Sequence, residues 1–518
     1  MDTRGWINRG INGASSVAML MASSAIAPLP AAQARSVVQT GYCRQPAALP
    51  ALGQERPAYD WQQRRRSGSP GEGEMAYPAA PPPPAPPPPP VAAEGYDAGA
   101  GDMVVTSSRV ASPRSAPEAS APAMETAGRA DRRMMPPYPY PTPPRPPRPQ
   151  AGLLTAGEHD DLLNPELYAA YVRSSDLGQQ IPVLPRVDTQ RMLTVRVNDT
   201  NGSPVAFAPV VLRCSDGNSL RMATQADGTV TFFPALDRLS PSVTVSSQGQ
   251  SRRVNIGPGP GVQQVGLTVG ASSVAATKLD LMLVVDTTGS MGDEIAYLQS
   301  ELQSIIATLR QRHPALDIRI GFVFYRDEGD DYVTATVPFT RSVAEARGTL
   351  SQYSANGGGD YPEAMDQALV LAVGQQWRAD AVKTMLLVAD APPHDERFDL
   401  AWSAVEAARQ RRIHVVPVAA SGVGDKAEYF MRATSALTQS RYLFLTDDSG
   451  IGNPHAPPAV DCYLVTRLDG LIRRVIDSQL SGRRIEPDAD EVIRTVGEYD
   501  NGRCILPAHF QTSQSGEQ

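Results

Sequence analysis

Three short stretches of this chain place oxygen-bearing side chains where an apolar run gives way to a loop. In "LDLMLVVDTTGSMGDE", Leu279 to Glu294, the run ends on Asp286, and Thr288 and Ser290 follow at alternate positions. "GGGDYPEA" offers Asp360, and "LLVADAPPH" offers Asp390 directly after a second apolar run. On an extended turn side chains alternate, so Asp286, Thr288 and Ser290 point to one side while Thr287 and Gly289 face away. Carboxylates and hydroxyls without cysteine suit a hard divalent cation, Mg2+ above all, with Mn2+ or Ca2+ as alternatives. Plainer accounts stand beside this one. Asp286 can simply end a strand while Ser290 caps a helix (Ser290-x-x-Asp293). Asp360-x-x-Glu363 also reads as a capping box, with Pro362 in the first turn of a helix reaching about Trp377. Asp360 therefore stands between two roles, metal neighbour and helix cap. His394, in "APPHDER", either lines the site or is solvated, and Arg326 with Asp327 reads as an ion pair at a strand end.

The elements that must hold these loops follow from hydrophobic periodicity. Strands are expected at 279–285, 317–324, 332–338, 382–389, 413–419 and 442–445, with helices between most of them. Ile295, Leu298, Leu302, Ile305, Ile306 and Leu309 recur at helical spacing. Near-continuous apolar strands alternating with helices predict an α/β fold, a doubly wound, mostly parallel sheet. "RIGFVFYRD" followed closely by "YVTATVPFT" predicts a hairpin, and so one antiparallel edge strand. In such a sheet ligands sit beyond the C-terminal strand ends where strand order reverses, which is where the three loops fall.

Asp286-x-Thr288-x-Ser290, Asp360 and Asp390 resemble the metal-ion-dependent adhesion site (MIDAS) of von Willebrand factor type A (vWA) domains. "YRDEGDDYV", "GGGDYPEA" and "ADAPPH" are most similar to the hemicentin-like and bacterial exported subgroup, which also occurs beside some α-kinases. The resemblance covers roughly 278–483. It implies a sheet of order 3-2-1-4-5-6, with Asp286 and Asp390 on neighbouring strands. It also implies direct metal contact from Thr288 and Ser290, direct or water-mediated contact from Asp286 and Asp390, and a last coordination position for a partner's oxygen, often a carboxylate. Many adhesion-type members carry a threonine where this chain has Asp360, whose charge would hold the cation more tightly yet weaken its pull on an acidic ligand.

The rest of the 518 residues divides by composition. Arg4 and Arg9, an apolar stretch from about Val17 to Ala27 and the small-x-small run Ala32-Gln33-Ala34 predict a signal peptide over 1–34, cut before Arg35. Its apolar part is too short to span a bilayer. Residues 35–150 hold much of the chain's 48 prolines and read as a disordered Pro/Ala/Gly-rich linker, with "PPPPAPPPPP" a polyproline spacer of roughly 30 Å. Its arginines 129, 132, 133, 145 and 148 form a basic patch or a solvated tail, and "GDMVVTSSRV" (101–110) is a β-prone island. Residues 151–188 are expected to be a short helical segment. "MLTVRVND", "PVVLRC", "TVTFFP", "SVTVSS" and "QQVGLTV", separated by Asn-Gly and Asp-Gly turns, predict a β-sandwich over 189–272. It resembles carboxypeptidase-regulatory-like or transthyretin-like modules and implies no chemistry of its own. The vWA-like part is placed at 277–485 and a tail at 486–518.

A net charge of −8 argues against nucleic-acid binding. The four cysteines fit an oxidising compartment. Cys462, placed at the start of the last helix, and Cys504 are expected to pair, closing about 42 residues for on the order of 4 kcal/mol. Cys214 reads as a small buried hydrophobe, and Cys43 lies unplaced in the linker. No nucleophile elbow, phosphate loop or H-E-x-x-H occurs. The expected function is that of an exported, periplasmic or envelope, metal-dependent protein-binding protein. The alternative is a metal-assisted hydrolase, for which only His394 and Asp327 could serve as base.

Overall fold

The computed structural model describes residues 41–52 and 149–505, apart from 176, 178–180, 182, 183 and 185. The expected signal peptide, the proline-rich runs, the basic patch and the 101–110 island lie outside the described residues. In chain order the strands are β1 (Thr155–His159), β2 (Arg191–Asn198), β3 (Pro209–Arg213), β4 (Ser219–Ala223), β5 (Thr229–Phe232), β6 (Ser242–Ser247), β7 (Gln250–Asn255) and β8 (Gly261–Thr268). There follow β9 (Lys278–Asp286), β10 (Asp317–Tyr325), β11 (Thr334–Thr340), β12 (Val382–Ala389), β13 (Ile413–Ala419), β14 (Tyr442–Thr446), β15 (Tyr463–Arg467) and β16 (Arg494–Val496), with a two-stranded pair at Tyr499–Asp500 and Arg503–Cys504. The helices are α1 (Pro165–Ser174), α2 (Ile295–Arg312), α3 (Val343–Leu350), α4 (Met365–Gly374), α5 (Phe398–Gln410), α6 (Asp425–Leu437) and α7 (Leu468–Ser481).

The central sheet runs β11-β10-β9-β12-β13-β14-β1-β15-β16. Strands β10, β9, β12, β13 and β14 are parallel, and β11 is an antiparallel edge hairpin with β10. Every residue of β12, β13 and β14 is buried, because helices cover both faces and the apolar runs need no polar side. One face packs α2, α3 and α7 through Leu298, Leu302, Leu350, Leu471 and Ile472. The other packs α4, α5 and α6 through Leu369, Phe398, Val405 and Phe430.

The sheet extends beyond the expected strands. Thr155–His159, expected to be part of a helical stretch, inserts as β1 between β14 and β15, antiparallel to both. Its Glu158 is buried and ringed by Arg441 at 2.5 Å, Arg474 at 3.7 Å and Arg484 at 3.7 Å. A carboxylate buried by distant arginines leaves no local apolar pattern. Glu301 of α2 anchors the approach to β1 by accepting the backbone N–H groups of Gly152, Leu153 and Leu154.

The sandwich packs β5-β2-β8 against β4-β3-β6-β7 around Leu193, Val195, Val210, Leu212, Phe232 and Val245. β4 and β7 were not expected from the sequence. Cys43 and Cys214 are disulfide-bonded, so Cys214 is not a free buried hydrophobe; the backbone N–H of Cys43 donates to Arg238 at 2.9 Å and holds 41–52 on the sandwich. Cys462 and Cys504 are bonded too, with Cα atoms 5.5 Å apart. Cys462 precedes β15 rather than opening a helix, since the last helix begins at Leu468.

Candidate functional site

The first loop leaves β9 at the level where β10 and β12 also end, with Tyr325 opposite Asp286 and Val388 opposite Val285. Asp286 is fully buried. Its Oδ1 accepts from Thr288 N at 2.9 Å and Thr288 Oγ1 at 2.7 Å, and Thr288 Oγ1 lies 3.1 Å from Ser290 Oγ. The three oxygen groups do share one side. Thr287 turns away, its hydroxyl donating to Tyr325 O at 2.8 Å and meeting Tyr332 Oη at 2.7 Å. Ser290 is not a helix cap: it lies in a 3-10 turn, Gly289–Asp293, and α2 begins at Ile295.

The second loop is zipped to the first, with Gly289 N donating to Gly357 O at 3.0 Å and Asn356 N to Thr287 O at 3.0 Å. Contact this close demands glycine. A Cβ on Gly289 would lie 2.8 Å from Gly357 O, and Gly358, at φ +74°, would put one 3.1 Å from Glu363 Oε1 and 3.3 Å from Thr288 Cβ.

Here the structure corrects the sequence reading. Asp360 is exposed and caps nothing: α4 starts only at Met365, Ala364 precedes it without a side-chain cap, and the helix ends at Gly374, short of Trp377. The acid brought against the first loop is Glu363, buried at 2 % exposure. Its backbone N–H donates to Pro392 O at 3.0 Å, tying it to the third loop. Sequence reading placed Glu363 only as half of a capping box. The triple glycine ahead of it was the available signal that backbone there passes close to something.

The third loop leaves β12 with Asp390 buried at 2 % exposure. Tyr361 Oη donates to Asp390 O at 3.1 Å and accepts from Gly424 N at 2.5 Å. Asp286, Asp390 and Glu363 thus bury three acids in one place. Burial, then the charge of Asp390, pushes Asp286 up to about 7. Burial, then the charges of Asp286, Asp327, Asp390 and Asp330, pushes Glu363 up to about 9. Asp286 Oδ2 and Glu363 Oε2 are buried without a hydrogen bond of ordinary geometry. Buried acceptors left so are costly unless another group satisfies them. That donor set fits a hard cation. Among the described residues no three His, Cys, Asp or Glu side chains are placed to hold an ion by themselves; the hydroxyls of Thr288 and Ser290 stand beside these acids as further oxygen donors.

Arg326 does not pair with Asp327. Its guanidinium donates to Thr287 O at 3.1 Å and Ser354 O at 3.0 Å and lies 3.6 Å from Asp331. Asp327 instead meets His394, Nε2 to Oδ1 at 2.7 Å. The two residues weighed as a base are therefore each other's partner, joined across loops 67 positions apart.

Residues 280–452 match the family model described as the von Willebrand factor A domain, and over that stretch the chain carries such a domain, in general a protein-interaction module. A run of 125 residues is 32 % identical to "Alpha-protein kinase vwkA" of Dictyostelium discoideum, covering 24 % of this chain and 20 % of that protein. Another of 119 residues is 34 % identical to "Putative ariadne-like RING finger protein R811" of Acanthamoeba polyphaga mimivirus, covering 22 % of this chain and 11 % of that protein. The chain thus spans a fifth or less of either relative's length. Among solved structures, BatB from Bacteroides thetaiotaomicron is 13 % identical with a TM-score of 0.28, over 39 % of this chain and 98 % of that one. The VWA domain of SpRpn10 is 12 % identical with a TM-score of 0.23, over 30 % and 81 %. Both structural likenesses are too distant to bear on function.

Proposed function

We propose that this is an exported, metal-dependent protein-binding protein of the hemicentin-like and bacterial vWA subgroup, acting as an adhesion or scaffolding module. The reading rests on one observation: three loops at the sheet's switch point converge Asp286, Thr288, Ser290, Asp390 and Glu363, with Glu363 Oε2 buried without a hydrogen-bond partner and Asp286 Oδ2 buried with no hydrogen bond of ordinary geometry beside the Tyr325 hydroxyl. Those residues would hold Mg2+, or Mn2+ or Ca2+, and the cation would supply charge and an open coordination position for an oxygen of a partner protein, a carboxylate included. Asp360, exposed on the second loop, is proposed as a rim group rather than a ligand.

Export is supported by the basic-then-apolar N-terminus and by two disulfides, which persist in oxidising compartments. The periplasm or cell envelope suits both, and the proline-rich stretch would act as the reach toward an envelope partner. Among the described residues no helix is long and apolar enough to cross a membrane.

Calorimetric titration with Mg2+ tests the reading, with Asp286→Ala as the blank: wild type binds and the variant does not. Equal binding by both removes the site. One observation favours a second reading, a metal-assisted hydrolase, because Asp327 orients His394 beside the site as a base is oriented in many active sites. Chelator-sensitive turnover of a generic ester, phosphate or peptide substrate, lost in His394→Ala, would establish that reading instead.

A further inference from the structure

The loops that carry the site are rich in acid. Glu328, Asp331, Asp360, Asp395 and Glu396 are exposed, and Asp330 is half-buried. Part of this acid is fixed in place. Asp330 Oδ2 accepts from Asp327 N at 3.1 Å and from Gly358 N at 2.9 Å, fixing that carboxylate against the glycine loop. Asp360 and Glu396 both act electrostatically on His394, which Asp327 holds. The cations present are already engaged: Arg397 with Glu328 at 3.4 Å, Lys426 with Asp395 at 3.0 Å and the buried Arg326 with Asp331 at 3.6 Å. With Asp327 counted, these loops carry seven carboxylates against those three cations and His394, the partner of Asp327. A divalent cation inside would act first on the buried acids Asp286, Asp390 and Glu363, and the exposed carboxylates would still face a partner.

Two further features point to what enters. Glu363, 2 % exposed, has Oε2 buried without a hydrogen-bond partner, so the loop that carries Asp360 also carries an unmet polar demand. Tyr361 is 43 % exposed, while its hydroxyl is pinned by Gly424 N at 2.5 Å and by the carbonyls of Asp390 at 3.1 Å and Gly422 at 3.2 Å. A fixed aromatic ring beside an acidic rim is a ready seat for a guanidinium or ammonium group.

Resting on the metal-site reading above, we propose that the partner segment docking here is basic: a peptide or loop that brings an oxygen to the centre and lysine or arginine side chains to the rim and to Tyr361. Acidic segments are repelled, and association is salt-sensitive.

A peptide array tests this, each peptide carrying one fixed aspartate among random residues, probed with the full chain in Mg2+ at low and physiological salt. Bound peptides should be enriched in lysine and arginine, by up to about fivefold in affinity for each well-placed cation, the upper range for exposed ion pairs. The enrichment should shrink with salt, in a Glu328→Gln, Asp360→Asn, Asp395→Asn triple variant whose circular dichroism is unchanged, and on Tyr361→Ala. No charge preference, a preference for acidic peptides, or no binding overturns the proposal. The same enrichment persisting in chelator and in Asp286→Ala would uphold the basic partner while removing the metal. Metal-dependent binding without charge preference would do the reverse.

Discussion

At the scale of single residues, burial separates Glu363 from Asp360. The acid nearer the glycines lies in water, and the acid three residues on is buried against Thr288 and the third loop. Glu363→Gln should therefore weaken Mg2+ binding by about ten- to a hundredfold, the range seen when a group supporting a metal site is lost. Asp360→Thr should leave both metal affinity and stability nearly unchanged, within about 0.5 kcal/mol as for other surface substitutions. Calorimetry on the two variants separates them, and a larger loss for Asp360→Thr would sink the assignment. The pH response has a definite sign. Asp286 and Glu363 hold protons more tightly folded than unfolded, so the protonated forms stabilise the metal-free protein at low pH. That contribution is lost as pH rises through about 7 for Asp286 and about 9 for Glu363. A cation competes with those protons, so its stabilisation grows over the same range. The difference in melting temperature between Mg2+ and chelator should widen from about pH 5 to about pH 9. A constant difference would contradict it.

Among elements, the inserted strand and the docked sandwich are the joints to test. Gly157 of β1 has no room for a side chain, since a Cβ would lie 2.3 Å from Phe444 and 2.9 Å from Tyr463. Gly157→Val should expel β1 and cost several kcal/mol by overpacking together with the lost strand pairing. Hydrogen exchange should then show β14 and β15 losing protection while β9 and β12 keep theirs. The sandwich is held to α5 by Arg409, which grips Asp237 with two bonds of 2.8 Å and donates to Thr231 O at 2.9 Å. Both partners are almost fully buried. Arg409→Met leaves Asp237 as an unpaired buried charge and should cost about 3–5 kcal/mol. Replacing both partners should cost less than the sum of the single changes, as urea unfolding of the three variants would show.

For the whole molecule, the two disulfides join parts distant in the chain. Cys43–Cys214 closes 171 residues and Cys462–Cys504 closes 42. In the chain-entropy description these constrain the unfolded state by about 5 and about 4 kcal/mol. Mass mapping without reductant should find both bridges, and reduction should lower the urea midpoint markedly. Protein taken from its native compartment should begin at Arg35 or within a few residues of it. Intact Met1 on that protein would refute export by a cleaved signal.

The parts of this protein legible in the sequence are those written in local pattern. The parallel sheet follows from apolar runs alternating with helical stripes, and the shared side of Asp286, Thr288 and Ser290 follows from their alternation. Tertiary structure decided the rest, because the relevant contacts join positions with no shared local signal. β1 carries Gly157, Glu158 and His159 where a buried strand would carry apolar residues, and its Glu158 is met by arginines some 280 to 330 residues later. The pairing of His394 with Asp327 and of Cys43 with Cys214 depends on which loops the sheet order brings together. Whether Asp360 or Glu363 enters the site depends on where α4 begins, and that is set by the glycine loop packing against Thr288 rather than by the capping preference of four residues.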